Sequence, residues 1–362
     1  MKITQVTTYI VKTPGDSPLV FDQPPATTTF DFVTLELGTD QGLVGVGVTF
    51  FGEGLLEALR VAVQDLSTLL IGDDPTQTEK IVAKLRRAAA ASGPGGIFTL
   101  ALSAIDMACW DLKAKAAGLP LAQLLGGARD RVNTYASGAL TRPLPVSYLE
   151  KAGPRLVDMG FRQMKMQCGS EPTIAASVER VRVMREALGP DIDLMCDINQ
   201  LWSVHHAIEV GRRVAEYELF WLEDVTAHDD YPGLARVADA LDTPIATGEY
   251  HYGIVPFRHL LEHRSVDIVM VDLVRVGGIT QWLKVAGMAE AFNLPIVSHL
   301  IPEVHVHLVS AVPNGLPVEY MPRLYRLFEE TPAIEDGQIV VPQRPGLGLT
   351  FDQAALKQYA AS

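Results

Sequence analysis

The sequence predicts an α/β chain in which a (β/α) barrel follows a smaller α+β module. Three observations carry this. From residue 132 onward, short apolar, β-branched runs recur at intervals of about 26 residues, the length that a short strand, a three-turn helix and two tight loops require. The segments between these runs have helical periodicity; Val204, Ala207, Ile208, Gly211, Val214 and Ala215 fall on one face. The first hundred residues read differently, as antiparallel strands followed by helices. A chain of 362 residues is long enough for two domains or one large barrel with an attachment, and its 48% hydrophobic share permits a large core.

Residues 3–11 and 32–37 alternate like strands, and Thr39-Asp40-Gln41-Gly42 is a turn before a third strand at 44–48. Residues 13–30, rich in Pro and Thr, form a long connection, and long loops in compact domains are often functional. Helical patterns follow at 54–70 and 77–90. Ser92-Gly93-Pro94-Gly95-Gly96 leads into a helix over 100–117, where Leu102, Ile105, Cys109 and Leu112 share a face; Gly118 and Pro120 stop it. The first barrel strand is read at 132–136. The seven later runs end at Lys165, Asp197, Glu223, Glu249, Asp272, His299 and Glu319. Eight parallel strands of this cadence suggest a barrel. An open doubly wound sheet is the alternative, weakened because no Gly-rich phosphate fingerprint follows the first strand.

A net charge of −13 argues against nucleic acid and against an anionic membrane surface as partners, although a local cationic or metal site can still take an anionic substrate. Three cysteines without paired spacing build no disulfide framework and suit a reducing compartment. No apolar stretch marks a signal peptide or a membrane span, so a cytoplasmic location is expected.

In a barrel, residues at strand C-termini converge on one mouth. One acid after a strand is usually a loop residue or a helix cap. Seven ionisable groups in succession are costly to bury unless they are paired or bind a metal. Asp197, Glu223 and Glu249, from three successive strands, offer the hard oxygen donors that suit Mg²⁺. Asn199 and Asp224 stand next to them as candidates to orient those ligands. Asp272 beside His299 would fix its tautomer and raise its basicity. Lys165 lies across the mouth, where a neighbouring cation and a closed site can lower its pKa and let it also act as a base. Glu319 could donate to a substrate oxygen if protonated. Such an assembly suits removal of a proton next to a carboxylate, with the metal stabilising the charge that develops.

With these residues the sequence resembles the enolase superfamily, mandelate racemase subgroup, over essentially its whole length. The resemblance is carried by Ala104-Ile105-Asp106-Met107-Ala108-Cys109-Trp110-Asp111-Leu112-Lys113, by Asp197-Ile198-Asn199-Gln200 with Trp221-Leu222-Glu223-Asp224, by Asp272 with Gly277-Gly278-Ile279-Thr280, and by Ser298-His299-Leu300. It implies a (β/α)7β TIM-like barrel over 128–322, an α+β capping domain over 1–127 and a C-terminal segment over 323–362 that returns to the cap. It implies one Mg²⁺ per subunit on Asp197, Glu223 and Glu249, a His299–Asp272 dyad, and Glu319 as the acid assisting enolisation. It also implies an assembly of identical chains, and capping loops near residues 13–31 and 50–53 that choose the substrate. Phe21, Asp22 and Gln23 are candidate substrate contacts on the first of these loops, and Arg275 is a candidate to support either Lys165 or the metal acids. One departure bears on chemistry. The subgroup carries Lys-x-Lys at the end of the second strand, whereas here the text is Lys165-Met166-Gln167. Gln167 replaces the base on the face opposite His299; it can donate a hydrogen bond but cannot take a proton.

The expected activity is therefore Mg²⁺-dependent dehydration of a sugar acid or related 2-hydroxy carboxylate, which needs one base. A racemase, epimerase or lactone cycloisomerase using Lys165 opposite His299 is the second reading, and a non-catalytic carboxylate-binding relative the third. Cys196 is expected to pack behind its strand and Cys168 to be inert. His305 and His307 are read as helix residues, while Tyr250 and His251 either line the pocket or sit in a solvated loop.

Overall fold

The computed structural model describes residues 1–22, 27–127 and 129–361. Strands β1 (Ile3–Pro14), β2 (Thr29–Thr39) and β3 (Val44–Thr49) form an antiparallel sheet in that order. The connection expected over 13–30 is shorter, because Thr13 pairs with Phe30 and Pro14 with Thr29. Pro14 is tolerated there because it ends an edge strand.

Helices α1 (Leu56–Thr68) and α3 (Ile97–Ala117) pack on this sheet, and α2 (Thr78–Ala88) packs against α3. α3 is buried on nearly all sides, as its apolar text on every face requires. Gly45 and Gly47 let β3 lie directly on it, because a Cβ at either position would collide with the carbonyl oxygen of Ala108 or of Ala104.

Eight parallel strands follow: β4 (Arg131–Leu140), β5 (Gln163–Gln167), β6 (Asp193–Asp197), β7 (Trp221–Glu223), β8 (Ile245–Thr247), β9 (Ile268–Asp272), β10 (Ile296–His299) and β11 (Val318–Tyr320). They pair in chain order from β4 to β10, and β11 pairs with β4. The ring closes where Gly315 bridges Ile296 and Leu316 N donates to the Ile296 carbonyl at 2.8 Å. Tyr135, Met195, Trp221, Ala246, Ile268, Met270 and Val297 form one cluster inside the barrel. Met195, Trp221, Met270 and Val297 stand two residues before Asp197, Glu223, Asp272 and His299, and alternation places each pair on one face of its strand. An apolar floor thus lies directly under the polar mouth. Cys196, on the opposite face, packs in the outer core as expected.

Beyond the barrel strands, β12 (Ile334–Glu335) and β13 (Gln338–Val340) form an antiparallel extension on β4. The end of the chain runs beside β1, with a bridge between Ala360 and Val11 and Ala361 N donating to the Ile10 carbonyl. Two buried acids of α3 tie distant segments to it. Asp111 accepts from Val46 N at 3.0 Å, Leu347 N at 2.8 Å and Lys115 Nζ at 2.6 Å. Asp106 accepts from Thr280 N at 2.8 Å and Thr280 Oγ1 at 2.5 Å, at the start of the helix Ile279–Ala291. The preceding Gly278 has φ 95°, and a Cβ there would meet the Asp106 carboxylate at 2.6 Å.

Asp106→Ala strands the buried Thr280 donors and removes an acceptor at a helix start. It is expected to cost about 2–4 kcal/mol, measured by denaturant unfolding. An unchanged midpoint would show that the α3–barrel contact contributes little. No helix among the described residues is long and apolar enough to cross a membrane.

Candidate active site at the barrel mouth

The strand ends bring the ionisable residues together. Gln167 and Asp197 are register partners, as are Asp197 and Glu223, and Asp272 and His299. Glu249 lies two residues beyond the end of its strand, after Gly248 at φ 135°. The side chains of Asp197, Glu223, Asp224, Glu249, Asp272 and Glu319 are all buried, as are Lys165 and His299.

His299 Nδ1 lies 2.8 Å from Asp272 Oδ2, and Nε2 lies 3.0 Å from Glu249 Oε2. Burial alone would pull the imidazole down, but Glu249 and Asp272 outweigh it and hold His299 above its ordinary value. Burial pushes Asp272 up, yet the bond to His299 and the charge beside it keep this carboxyl below its usual range. Asp272 also accepts from Arg275 N at 2.6 Å, which fixes the carboxylate.

Lys165 Nζ contacts Glu223 Oε1 and lies 2.9 Å from Glu319 Oε1. The protein neighbours of Lys165 do not by themselves lower its pKa. Burial acts downward, but Glu223 and Glu319 outweigh it and hold the ammonium well above its usual value. Nor is Glu319 a protonated donor here. Against burial, Lys165 and His299 hold its carboxyl down at about 2, and its Oε2 accepts from Leu300 N at 2.6 Å.

Asp197, Glu223 and Asp224 each offer an oxygen within 4.8 Å of the others. This compact set differs from the expected ligands in containing Asp224 in place of Glu249. Asp224 adopts φ 45° directly after β7, whereas Glu249 is turned to His299. Burial raises Glu223 despite Lys165, with Asp197 and Glu249 repelling it further; burial, Glu249 and Asp197 raise Asp224. Asp224 Oδ1 accepts from Thr247 Oγ1 at 2.5 Å, and its buried Oδ2 has no hydrogen-bond partner among the described residues. Crowded anionic oxygens with too few donors fit a hard divalent cation.

Residues 5–126 match the mandelate racemase/muconate lactonizing enzyme N-terminal domain, and residues 148–355 match the enolase C-terminal domain-like family. The chain belongs to the mandelate racemase/muconate lactonizing enzyme family. It is 34% identical over 341 residues to L-talarate/galactarate dehydratase of Salmonella typhimurium, covering 94% of this chain and 85% of that protein. It is 33% identical to 3,6-anhydro-alpha-L-galactonate cycloisomerase of Streptomyces coelicolor, covering 99% of both chains. L-talarate dehydratase from Polaromonas sp. JS666, solved with Mg and L-glucarate, superposes with a TM-score of 0.91 at 35% identity, covering 100% of this chain and 98% of that one.

In this mandelate racemase family chain, the Gln167 departure sits in a polar network. Arg142 N donates to Gln167 Oε1 at 3.3 Å, and Gln167 Nε2 donates to Asn199 Oδ1 at 3.4 Å. Arg142 also reaches the Cys168 carbonyl at 2.6 Å and Asn199 Oδ1 at 2.8 Å. Arg142 is not among the residues expected at the site, nor is Trp221, whose Nε1 donates to Glu223 Oε2 at 2.9 Å. Tyr250 lines the mouth, with its hydroxyl 3.5 Å from Asn199 Nδ2. Arg275 is sandwiched between Phe51 and Tyr250, 3.9 and 4.8 Å from their ring centroids. Its Nη1 donates to the Glu249 carbonyl at 3.2 Å.

Phe21 and Asp22 are not brought to the acids. Both face the helix Val146–Asp158: Phe21 N donates to Tyr148 Oη at 3.1 Å, and Asp22 pairs with Arg155 at 2.5 Å. Gln23 lies outside the described residues. His305 and His307 are helix residues, as expected. His305 Nδ1 lies 2.6 Å from the Leu300 carbonyl, His307 Nε2 3.0 Å from that of Leu347, and burial lowers both to about 4. Cys168 is buried, and His251 packs among the rings of His228, Tyr231 and Phe257.

Proposed function

We propose that this chain is a Mg²⁺-dependent sugar-acid dehydratase working with one base, His299. The observation that carries the reading is the asymmetry of the mouth. One side has the Asp272–His299 dyad, and the other has a Lys165 committed to two carboxylates beside a Gln167 that cannot accept a proton.

Asp197, Glu223 and Glu249 would hold the cation, with Asp224 beside them. A Mg²⁺ held by these residues would supply positive charge to stabilise the negative charge that a substrate carboxylate gains on loss of the α-proton. His299 Nδ1–H donates to Asp272, so Nε2 carries the lone pair that takes the α-proton. Glu249 can serve the cation or Nε2 with the same carboxylate, so metal loading and the basicity of His299 are coupled. The imidazolium then returns its proton to the β-hydroxyl on the same side. Hydroxide and proton depart as water, and the remaining enol becomes a 2-keto acid. Lys165 is a fixed cation near the substrate carboxylate, Glu319 anchors it, and Arg142, Asn199 and Gln167 position the substrate hydroxyls.

Relatives named as dehydratase and as cycloisomerase support enolisation as the shared step. The test is incubation of the Mg²⁺-loaded protein with a panel of sugar acids in deuterated water. Keto-acid product from at least one is expected. Deuterium uptake with a lactone or epimer but no keto acid would favour the isomerase reading. Neither product nor exchange with any acid would contradict both.

A further inference from the structure

Past the last barrel strand the chain places Arg323 between the mouth and the first sheet. Its guanidinium lies over the Phe30 ring of β2, 4.9 Å from the centroid. Its Nε is buried and has no hydrogen-bond partner among the described residues. Three other arginines are engaged: Arg326 pairs with Asp16 at 2.6 Å, Arg142 with Asn199, and Arg275 with the Glu249 carbonyl. Arg323 follows Glu319, the buried acid of β11, by four residues, which puts it beside the mouth. Burial pulls its pKa down, opposed by Glu319, Glu249 and Asp272, while Arg275 adds to the lowering.

A buried guanidinium N–H without an acceptor is costly, and the planar donor fork of the half-buried Arg323 suits an oxyanion. Stacking on Phe30 leaves the in-plane N–H groups available, because the ring covers only a face of the guanidinium. Resting on the dehydratase reading above, we propose that Arg323 binds a second anionic group, a carboxylate or a phosphate ester, at the end of the substrate remote from the carboxylate that loses its α-proton. The preferred substrate is then a hydroxy acid charged at both ends. A polar neutral terminus would leave the guanidinium without a counter-charge, so the residue sets specificity.

The test uses matched aldarates and aldonates of the galacto, gluco and talo series, together with 6-phosphogluconate. Their binding to the Mg²⁺-loaded His299→Asn variant is measured by calorimetry, and their turnover with the unmodified enzyme. A charge-assisted contact predicts a preference of about 10- to 100-fold for the doubly charged member of at least one pair. Arg323→Met in the same background should erase that preference, and Arg323→Lys should keep part of it. Preference for aldarates assigns a carboxylate, and preference for 6-phosphogluconate over gluconate a phosphate ester. Equal or stronger binding of the singly charged members overturns the proposal. So does an Arg323→Met variant that weakens both members alike, which would make Arg323 a mere offset to the acids. Binding of no doubly charged acid also overturns it. Keto acid formed from aldonates alone would leave the dehydratase reading standing while this one falls. A doubly charged preference in binding, with no keto acid from any compound, would support the role of Arg323 and contradict the dehydratase reading.

Discussion

His299→Asn is expected to lose α-proton exchange by at least about 10³-fold while binding of the acid changes only a few-fold. A base acts in the transition state, so its removal appears in turnover and not in affinity. Asn retains an N–H for Asp272, which keeps the neighbouring carboxylate satisfied. Exchange is read by NMR in deuterated water and binding by calorimetry. Exchange at the unmodified rate would shift the base to Lys165, although the two carboxylates that hold its ammonium argue against this.

Glu223→Gln is expected to weaken Mg²⁺ by at least about 100-fold and to reduce turnover at least as much. The substitution removes one anionic oxygen donor and also the Lys165 partner, leaving that ammonium with Glu319 alone. Trp221 keeps an acceptor, and the apolar floor beneath is untouched, so the fold should survive. Metal titration and circular dichroism separate the two effects. Normal activity in excess Mg²⁺ would contradict the metal assignment.

The barrel was legible because each apolar run stops at an ionisable residue, and that residue faces the mouth. The rule fails where a strand deviates. β8 ends at Thr247 and Gly248 turns the chain, so Glu249 is displaced from the strand end. The first apolar run predicts a strand ending at Ala136, but β4 continues to Leu140 through a register shift near Gly138, at φ 83°. The same strand-end rule, applied to the true end, would have reached Arg142. Partners from distant segments leave no local mark. Asp106 meets Thr280 across 174 positions and Asp111 meets Leu347 across 236, so the α3 signature could be recognised but not explained. For the same reason the sequence admitted a basic Lys165, whose neighbours Glu223 and Glu319 only the closed barrel supplies. The 13–31 loop was the least legible. Residues 21 and 22 turn to α-helical neighbours at Tyr148 and Arg155 that no pattern in the loop announces.

If His299 is the sole base, it works on one face of the substrate, and proton exchange on a pair of α-epimeric sugar acids reads this out. The unmodified, Mg²⁺-loaded protein is incubated with each epimer in deuterated water and followed by NMR. The imidazole addresses one face of the α-carbon, and Gln167 offers no basic lone pair to the other. The expected result is exchange and dehydration of one epimer with the other inert, and slow exchange of the inert epimer appearing only in Gln167→Lys. Rapid exchange of both epimers by the unmodified protein would contradict the account and make Lys165 a second base.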